Sequence, residues 1–402
     1  MSWHQRYSRD CYLSPLTILV TFAALFANHP GAVAQSAPRP NVDYAITWID
    51  PIDSPFTTTV PSAINDLGDT VGSALGAGFP GAGWIRTAET GLLWAQEIAV
   101  LPPGAEGAVL ESCKDITNDR IVVGNARLGG LLYPYQVALV LDQSTGQPIP
   151  QVVEFLNISG TVESITESGD LITSFYNSST NSIRWQIHRP KLLTGGYTVY
   201  TATSYGIAIG GSNSSAQFVT GAKSTDKDRV QRTYGLQYTP ATGKSVKFPG
   251  FVAPGTYDTT VSFATGINDP GTSVGAALFK SATKTVVGQR HAALFNGTSK
   301  PTDLGVLGNN TDSVANAINN ANQVVGASGS EAFLWTSTNK MHSLDSLVFP
   351  DSRWVSAITV EANRINNPAQ SGEFGEILGT AKFVNPDGST YRIAFLLTPI
   401  EL

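Results

Sequence analysis

The sequence predicts an all-β chain: a seven-bladed β-propeller of four-stranded antiparallel blades, its ring closed by an N-terminal strand. Three observations carry this. A short β-rich run recurs with a small residue at Gly72, Gly124, Ser174, Gly221, Gly275, Gly326 and Gly379. The copies are spaced about 50 residues apart, the period of a four-stranded blade. Around the clearest copy, Ser313–Trp335, apolar and polar residues alternate at strand spacing between turn-forming residues. One such sheet cannot bury both of its faces alone and needs neighbours of its own kind.

Taken from the start, residues 1–34 read as a targeting segment. Arg6 and Arg9 precede the apolar run Leu16–Ala27, and Ala32-Val33-Ala34 fits a small-x-small cleavage site. The run is too short to span a bilayer. Residues 35–42 are a lead-in and 43–402 one propeller domain, so a secreted or periplasmic protein without a membrane span is expected.

Tyr44–Ile52 has the pattern of a fourth strand with no blade of its own. The last copy ends at Leu402 with no fourth strand. The two complete each other, which removes an exposed sheet edge. Third strands are predicted to end at Trp94, Leu141, Trp185, Tyr238, Phe295, Trp335 and Leu397. The recurring small residue is expected where a strand packs closely on the next sheet. An Ile precedes it by eight residues at Ile64, Ile116, Ile267 and Ile318, with Ile165 off by one and Ile365 displaced by an insertion. Trp94, Trp185 and Trp335 are expected to pack between blades.

The segments Ile318–Gly326 and Glu331–Leu344, with Thr302-Asp303-Leu304-Gly305 and His291-Ala292-Ala293, resemble the HAF repeat of bacterial extracellular proteins, named for a His-Ala-Phe triplet. The match is good over roughly 267–348 and fades on both sides. The resemblance implies a secreted repeat protein and a structural part for His291. It transfers no chemistry to any residue.

Composition narrows the function classes. Charged residues are 14% of the chain and the net charge is −6, against about 25% charged in a usual globular protein. An acidic, lysine-poor surface argues against nucleic acid, which needs clustered cations. Of the two cysteines, Cys11 leaves with the leader, so Cys113 has no internal partner and reads as a buried small apolar residue. A monomer is expected.

Connections between first and second strands read as short in nearly every copy, whereas those from second to third and from fourth to the next first vary. In an up-and-down blade the variable connections share one side, so one face is plain and the other elaborated. Binding residues concentrate on variable loops over a rigid scaffold. The candidates there are Trp84, Tyr133, Tyr135, Arg229, Arg232, Tyr257, Arg290, Arg353 and Trp354, since aromatics beside Arg suit stacking and forked hydrogen bonds. The alternative for each is a plug between blades.

Catalytic signals are weak. His188, His291 and His342 fall in different predicted blades, and no spacing suits a zinc site. No cofactor or metal is expected. There is no nucleophile elbow, P-loop or dinucleotide fingerprint. Asn385–Gly388 reads as a hairpin turn and Asp226–Arg229 as a solvated loop. The favoured reading is a non-catalytic module binding a glycan or an extracellular protein. The alternative is a propeller-based polysaccharide lyase or glycoside hydrolase, with His188, Tyr257 and Arg290 as conceivable channel residues.

Overall fold

The computed structural model describes residues 37–50 and 56–400, apart from 77, 79, 159, 178, 180, 181, 192–195 and 202–205. The targeting segment 1–34 and the end of the predicted strand Tyr44–Ile52 lie outside the described residues. Seven antiparallel sheets follow one another around a ring. The first holds Thr58–Ile64, Thr70–Leu75, Ala82–Thr87 and Gly91–Trp94; the second Val109–Ile116, Ile121–Leu128, Leu131–Ala138 and Glu154–Phe155. The third and fourth, Thr161–Thr201 and Gly206–Lys247, touch through the single pair Ile183–Gly206. The fifth and sixth span 262–305 and 313–343. The seventh takes Thr359–Ile365, Ile377–Val384 and Thr390–Ile400 and adds Asp43–Ile49 as its outer strand, with Ile46 opposite Leu397.

Each sheet buries both faces. A separate cluster of buried side chains lies at every one of the seven blade interfaces, from Ala63, Ile85, Cys113 and Val137 between the first two blades to Ile49, Trp84, Leu378 and Ala394 where the seventh meets the first. Removing this apolar surface from water at about 25 cal/mol per Å2 is what holds a ring of sheets whose blades share few backbone bonds.

The recurring glycine has a different cause from the one expected. In every blade the inner strand carries an irregularity just before its end, for example between Ala315 and Ala317 and between Ala264 and Gly266. Gly326 lies opposite this bulge, where a Cβ would overlap the Val314 carbonyl oxygen and stand 2.9 Å from the Phe333 ring. Gly72, Gly124, Gly275 and Gly379 face the same carbonyl of their own inner strands. The close approach is therefore within a blade, where the bulge tips the inner strand onto its neighbour.

Two third strands are also corrected. In the first blade, Gly91–Trp94 is the fourth strand, and the third is Ala82–Thr87, in a stretch whose Gly and Pro resemble a loop. In the second, the third strand is Leu131–Ala138, joined to its predecessor by the Gly129-Gly130 hairpin; Val140–Leu141 lies beyond it. The variable connections are accordingly shorter than the sequence suggests. The outer strand of the sixth blade, Lys340–Ser343, is followed by a 3-10 turn at Leu344–Ser346, and Ser352–Ser356 forms one turn of α-helix.

Candidate binding surfaces

The plain mouth of the channel is built from the first turn of each blade. Asn319 shows the logic. Its Oδ1 accepts the Ala321 and Gln323 amides at 3.1 and 3.0 Å, closing its own turn, while its Nδ2 donates to the Asn366 carbonyl of the next blade at 2.9 Å. Asn213 donates likewise to Asn268 O, Asn268 to Asn319 O, Asn366 to Asn65 O, and Asn65 to Thr117 O, all at 3.0–3.1 Å. Thr117 and Thr166 stand at this position in the second and third blades; their hydroxyls cap their own turns and offer no amide to a neighbour. One residue further, backbone amides reach the next blade's side chain: Asp66 to Asn118, Asp269 to Asn320, Asn320 to Asn367 and Asn367 to Asp66, at 2.8–2.9 Å. Two concentric belts thus bind the blades across the ring.

Inside these belts Ile64, Ile116, Ile165, Ile267, Ile318 and Ile365 line a mouth of about 210 Å3, with Ser212 in the fourth blade. The carboxylates are occupied in the belts. Asp269 feels burial, but the Ser214 and Asn320 hydrogen bonds outweigh it and hold its pKa down. Burial, then the charges of Asp66, Asp115 and Asp119, raises that of Glu167. Deeper, Asp115 accepts Ser164 Oγ at 2.6 Å and the Ile165 amide at 3.0 Å; burial raises its pKa, and the Arg364 charge acts against that rise. The sequence reading took these turns as featureless. The signal that marks them is the pair Ile-Asn at 64–65, 267–268, 318–319 and 365–366.

Of the nine residues expected on the elaborated face, Arg232 and Arg290 both bond the loop that carries Tyr257, at Gly255, Asp258 and Thr260. Trp84 is fully buried in the third strand of its blade, in the cluster shared with the seventh. Tyr135 is also fully buried, its hydroxyl donating to Ser112 O at 3.1 Å and standing 3.4 Å from Cys113 Sγ. Both are blade plugs because a third-strand side chain at this register fills the space above the blade glycine, Gly72 or Gly124. Arg232 is 1% exposed and pinned by Asp226, Asp228 and the carbonyls of Asp258 and Gly255. The turn at Asp226–Arg229 is exposed at Lys227, Asp228 and Arg229, as a solvated loop is, and its two aspartates also hold Arg232. Arg290 donates to Thr260 O at 3.1 Å, and burial lowers its pKa against the pull of Asp312 and Asp258. Arg353 makes two 2.7 Å bonds to Asp50 and lies 4.6 Å over the Trp48 ring. Trp354 donates to Asp345 at 2.7 Å and packs edge-on to Phe395. Tyr133, Arg229 and Tyr257 remain at the surface.

The elaborated face has another property. Strand direction places the second-to-third and fourth-to-first connections at one end of the ring, and most exposed large apolar side chains lie there. They include Leu131, Tyr176, Tyr257, Phe279, Val287 and Val355, the last two 72% and 81% exposed.

The histidines sit apart. His188 is in the third blade, its Nε2 3.0 Å from Thr173 Oγ1. His291 stacks on Phe279 with ring centroids 3.7 Å apart and faces Asp303 at 3.1 Å. His342 is in the outer strand of the sixth blade, opposite Leu334. Burial raises the Cys113 pKa to about 12, so the thiol stays protonated. Among the described residues, no group of three or more His, Cys, Asp or Glu is placed to hold a metal ion, and no helix is long and apolar enough to cross a membrane.

No family model matches the chain, and no curated protein does. Among solved structures it is similar to the β-propeller domain of the Trilobed protease from Pyrococcus furiosus, at 9% identity and a TM-score of 0.49, over 86% of this chain and 95% of that one. It is also similar to the Trypanosoma rangeli sialidase in complex with the inhibitor DANA, at 8% identity and a TM-score of 0.38, over 90% of this chain and 58% of that one.

Proposed function

We propose that the mature chain is a secreted or periplasmic binding module that performs no catalysis and docks a protein partner on its elaborated face. The observation that carries this is the asymmetry of exposed apolar surface. Side chains such as Val287, Val355 and Phe279 stand in water at one end of the ring, and exposed apolar side chains gathered at one end are surface that a partner would cover. The cations that chemistry at this face would call on support the same reading, since Arg232, Arg290 and Arg353 are each bonded to neighbouring loops.

The test joins two measurements. Purified mature protein is crosslinked in the extracellular fraction of its source, and the captured species is purified and titrated against the wild type and a Val287→Asp/Val355→Asp double variant. A defined complex weakened at least about tenfold in the variant is expected, because two charges would be buried at the contact. The same protein is incubated with acidic and neutral polysaccharides and read for unsaturated products and reducing ends. Turnover that His188→Ala or Tyr257→Phe abolishes would replace the binding module with the lyase or hydrolase.

A further inference from the structure

The blades depart from one another most at the outer edge between the second and third. In the second blade the outer strand is only Glu154–Phe155. The chain before it has gone elsewhere: Val140–Leu141 pairs with Pro148–Ile149, and Gln151–Val152 runs parallel to Ala99–Val100 of the first blade. The diverted segment pairs with the first blade, so only Glu154–Phe155 of the second blade stands beside the outer strands of the third. A groove of about 750 Å3 opens there. The buried cluster beneath it is small: Val123, Leu156, Val162, Ile165 and Leu171.

One wall comes from the third blade. Gln186 and His188 lie two apart on one strand and so share a face, and Tyr197 stands on the next strand, edge-on to His188 with ring centroids 5.9 Å apart. The other wall is Glu154, Phe155 and Asn157. His188 is 4% exposed, and its Nδ1 is buried without a hydrogen-bond partner, a condition native proteins rarely leave unexplained. Burial lowers the His188 pKa, so the ring is neutral at neutral pH. Burial and then the Glu154 charge raise that of Tyr197, which keeps its phenolic proton.

We propose that this groove binds a neutral oligosaccharide. Its volume lies within the range of about 300–1,000 Å3 typical of ligand sites and accommodates about two or three sugar units. The lining pairs aromatic rings, which pack on the C–H faces of a pyranose, with the Asn157 amide, the Gln186 amide oxygen and the Glu154 carboxylate. Gln186 Nε2 already donates to Thr201 and one Glu154 oxygen accepts from Gln136, so the remaining oxygens accept from vicinal hydroxyls and the Asn157 amide donates to them. Lys191 at one end balances Glu154, leaving no surplus of positive charge for a phosphate or a uronate. A lone carboxylate does not make a cation site, and the concave shape does not suit a flat protein surface. The inference stands on this groove alone and does not depend on what the elaborated face docks.

Isothermal titration calorimetry of the mature protein with maltotriose, cellotriose, mannotriose and triacetylchitotriose tests it. At least one trisaccharide binds with a Kd below about 1 mM. Gln186→Ala and Asn157→Ala each weaken that binding about tenfold by removing hydrogen-bond partners, with the melting temperature unchanged, and Val355→Asp leaves it as in the wild type. Absence of heat with all four sugars overturns the proposal. So does binding that both groove substitutions leave intact.

Discussion

The two ends of the ring are made from the same seven blades and have opposite characters. At the plain mouth, polar side chains face one another and satisfy one another. At the elaborated end, apolar side chains face water while Arg232 and Arg353 are tied down by carboxylates. The difference follows from loop length. A turn of about four residues holds its asparagine in one geometry, so that a single side chain can serve its own turn and the next blade together. A longer connection has no fixed geometry to repeat, and each one is held by its own pins, Arg232 in one and Arg353 in another. Uniform turns yield a belt that stabilises; diverse loops yield a surface free to bind.

Substitutions at the two ends should therefore separate stability from binding. The largest loss is expected for Asn319→Ala. It removes four hydrogen bonds of a 3% exposed side chain and should cost about 3 kcal/mol in urea unfolding. The partly exposed outer-belt residue Asn367, changed to Ala, should cost less than about 1 kcal/mol. Equal losses at the two positions would break the belt argument.

Arg232→Met comes next, at about 2 kcal/mol. Breaking a fully buried pair costs more, but Asp228 is 47% exposed and water takes up part of its charge. A neutral outcome would mean that the clamp on the 226–229 turn is decorative.

A smaller effect is expected from pH. The folded pKa of His188 lies below its ordinary 6.5 because of burial, with Glu154 and Tyr197 beside it in the groove. The unfolded chain therefore takes up the proton first. This contribution is complete above 6.5 and is lost as pH falls from there through the folded value. The melting temperature should drop between about pH 7.5 and about pH 5.5, and His188→Gln should flatten that drop. An unchanged slope in the variant assigns the acid sensitivity to other groups.

The smallest change belongs to the elaborated face. Val355→Asp and Val287→Asp should each move stability by less than about 0.5 kcal/mol, as exposed substitutions do. A large loss in either would show that the apolar face is part of the fold rather than a surface presented to a partner.

Much of this architecture can be read without coordinates. The glycine spacing and the unpaired strand at Tyr44 are enough to anticipate seven sheets and their closure, because strand alternation and turn chemistry are local. Trp84 and Tyr135 could not be placed the same way. Whether a third-strand aromatic points outward or into the space over a glycine depends on a bulge in another strand. The groove at His188 was equally illegible, since it exists only because a segment of the second blade pairs with the first.

The sequence by itself determined the repeat, the four-stranded blade and the position of most inner turns, for these depend on residues a few places apart. Only the tertiary structure decided which asparagine reaches which carbonyl, which arginines are pinned and where a cavity opens. The asparagine contacts join residues 47 to 55 positions apart, and 301 apart where the seventh blade meets the first, and they acquire a geometry only once the ring has closed.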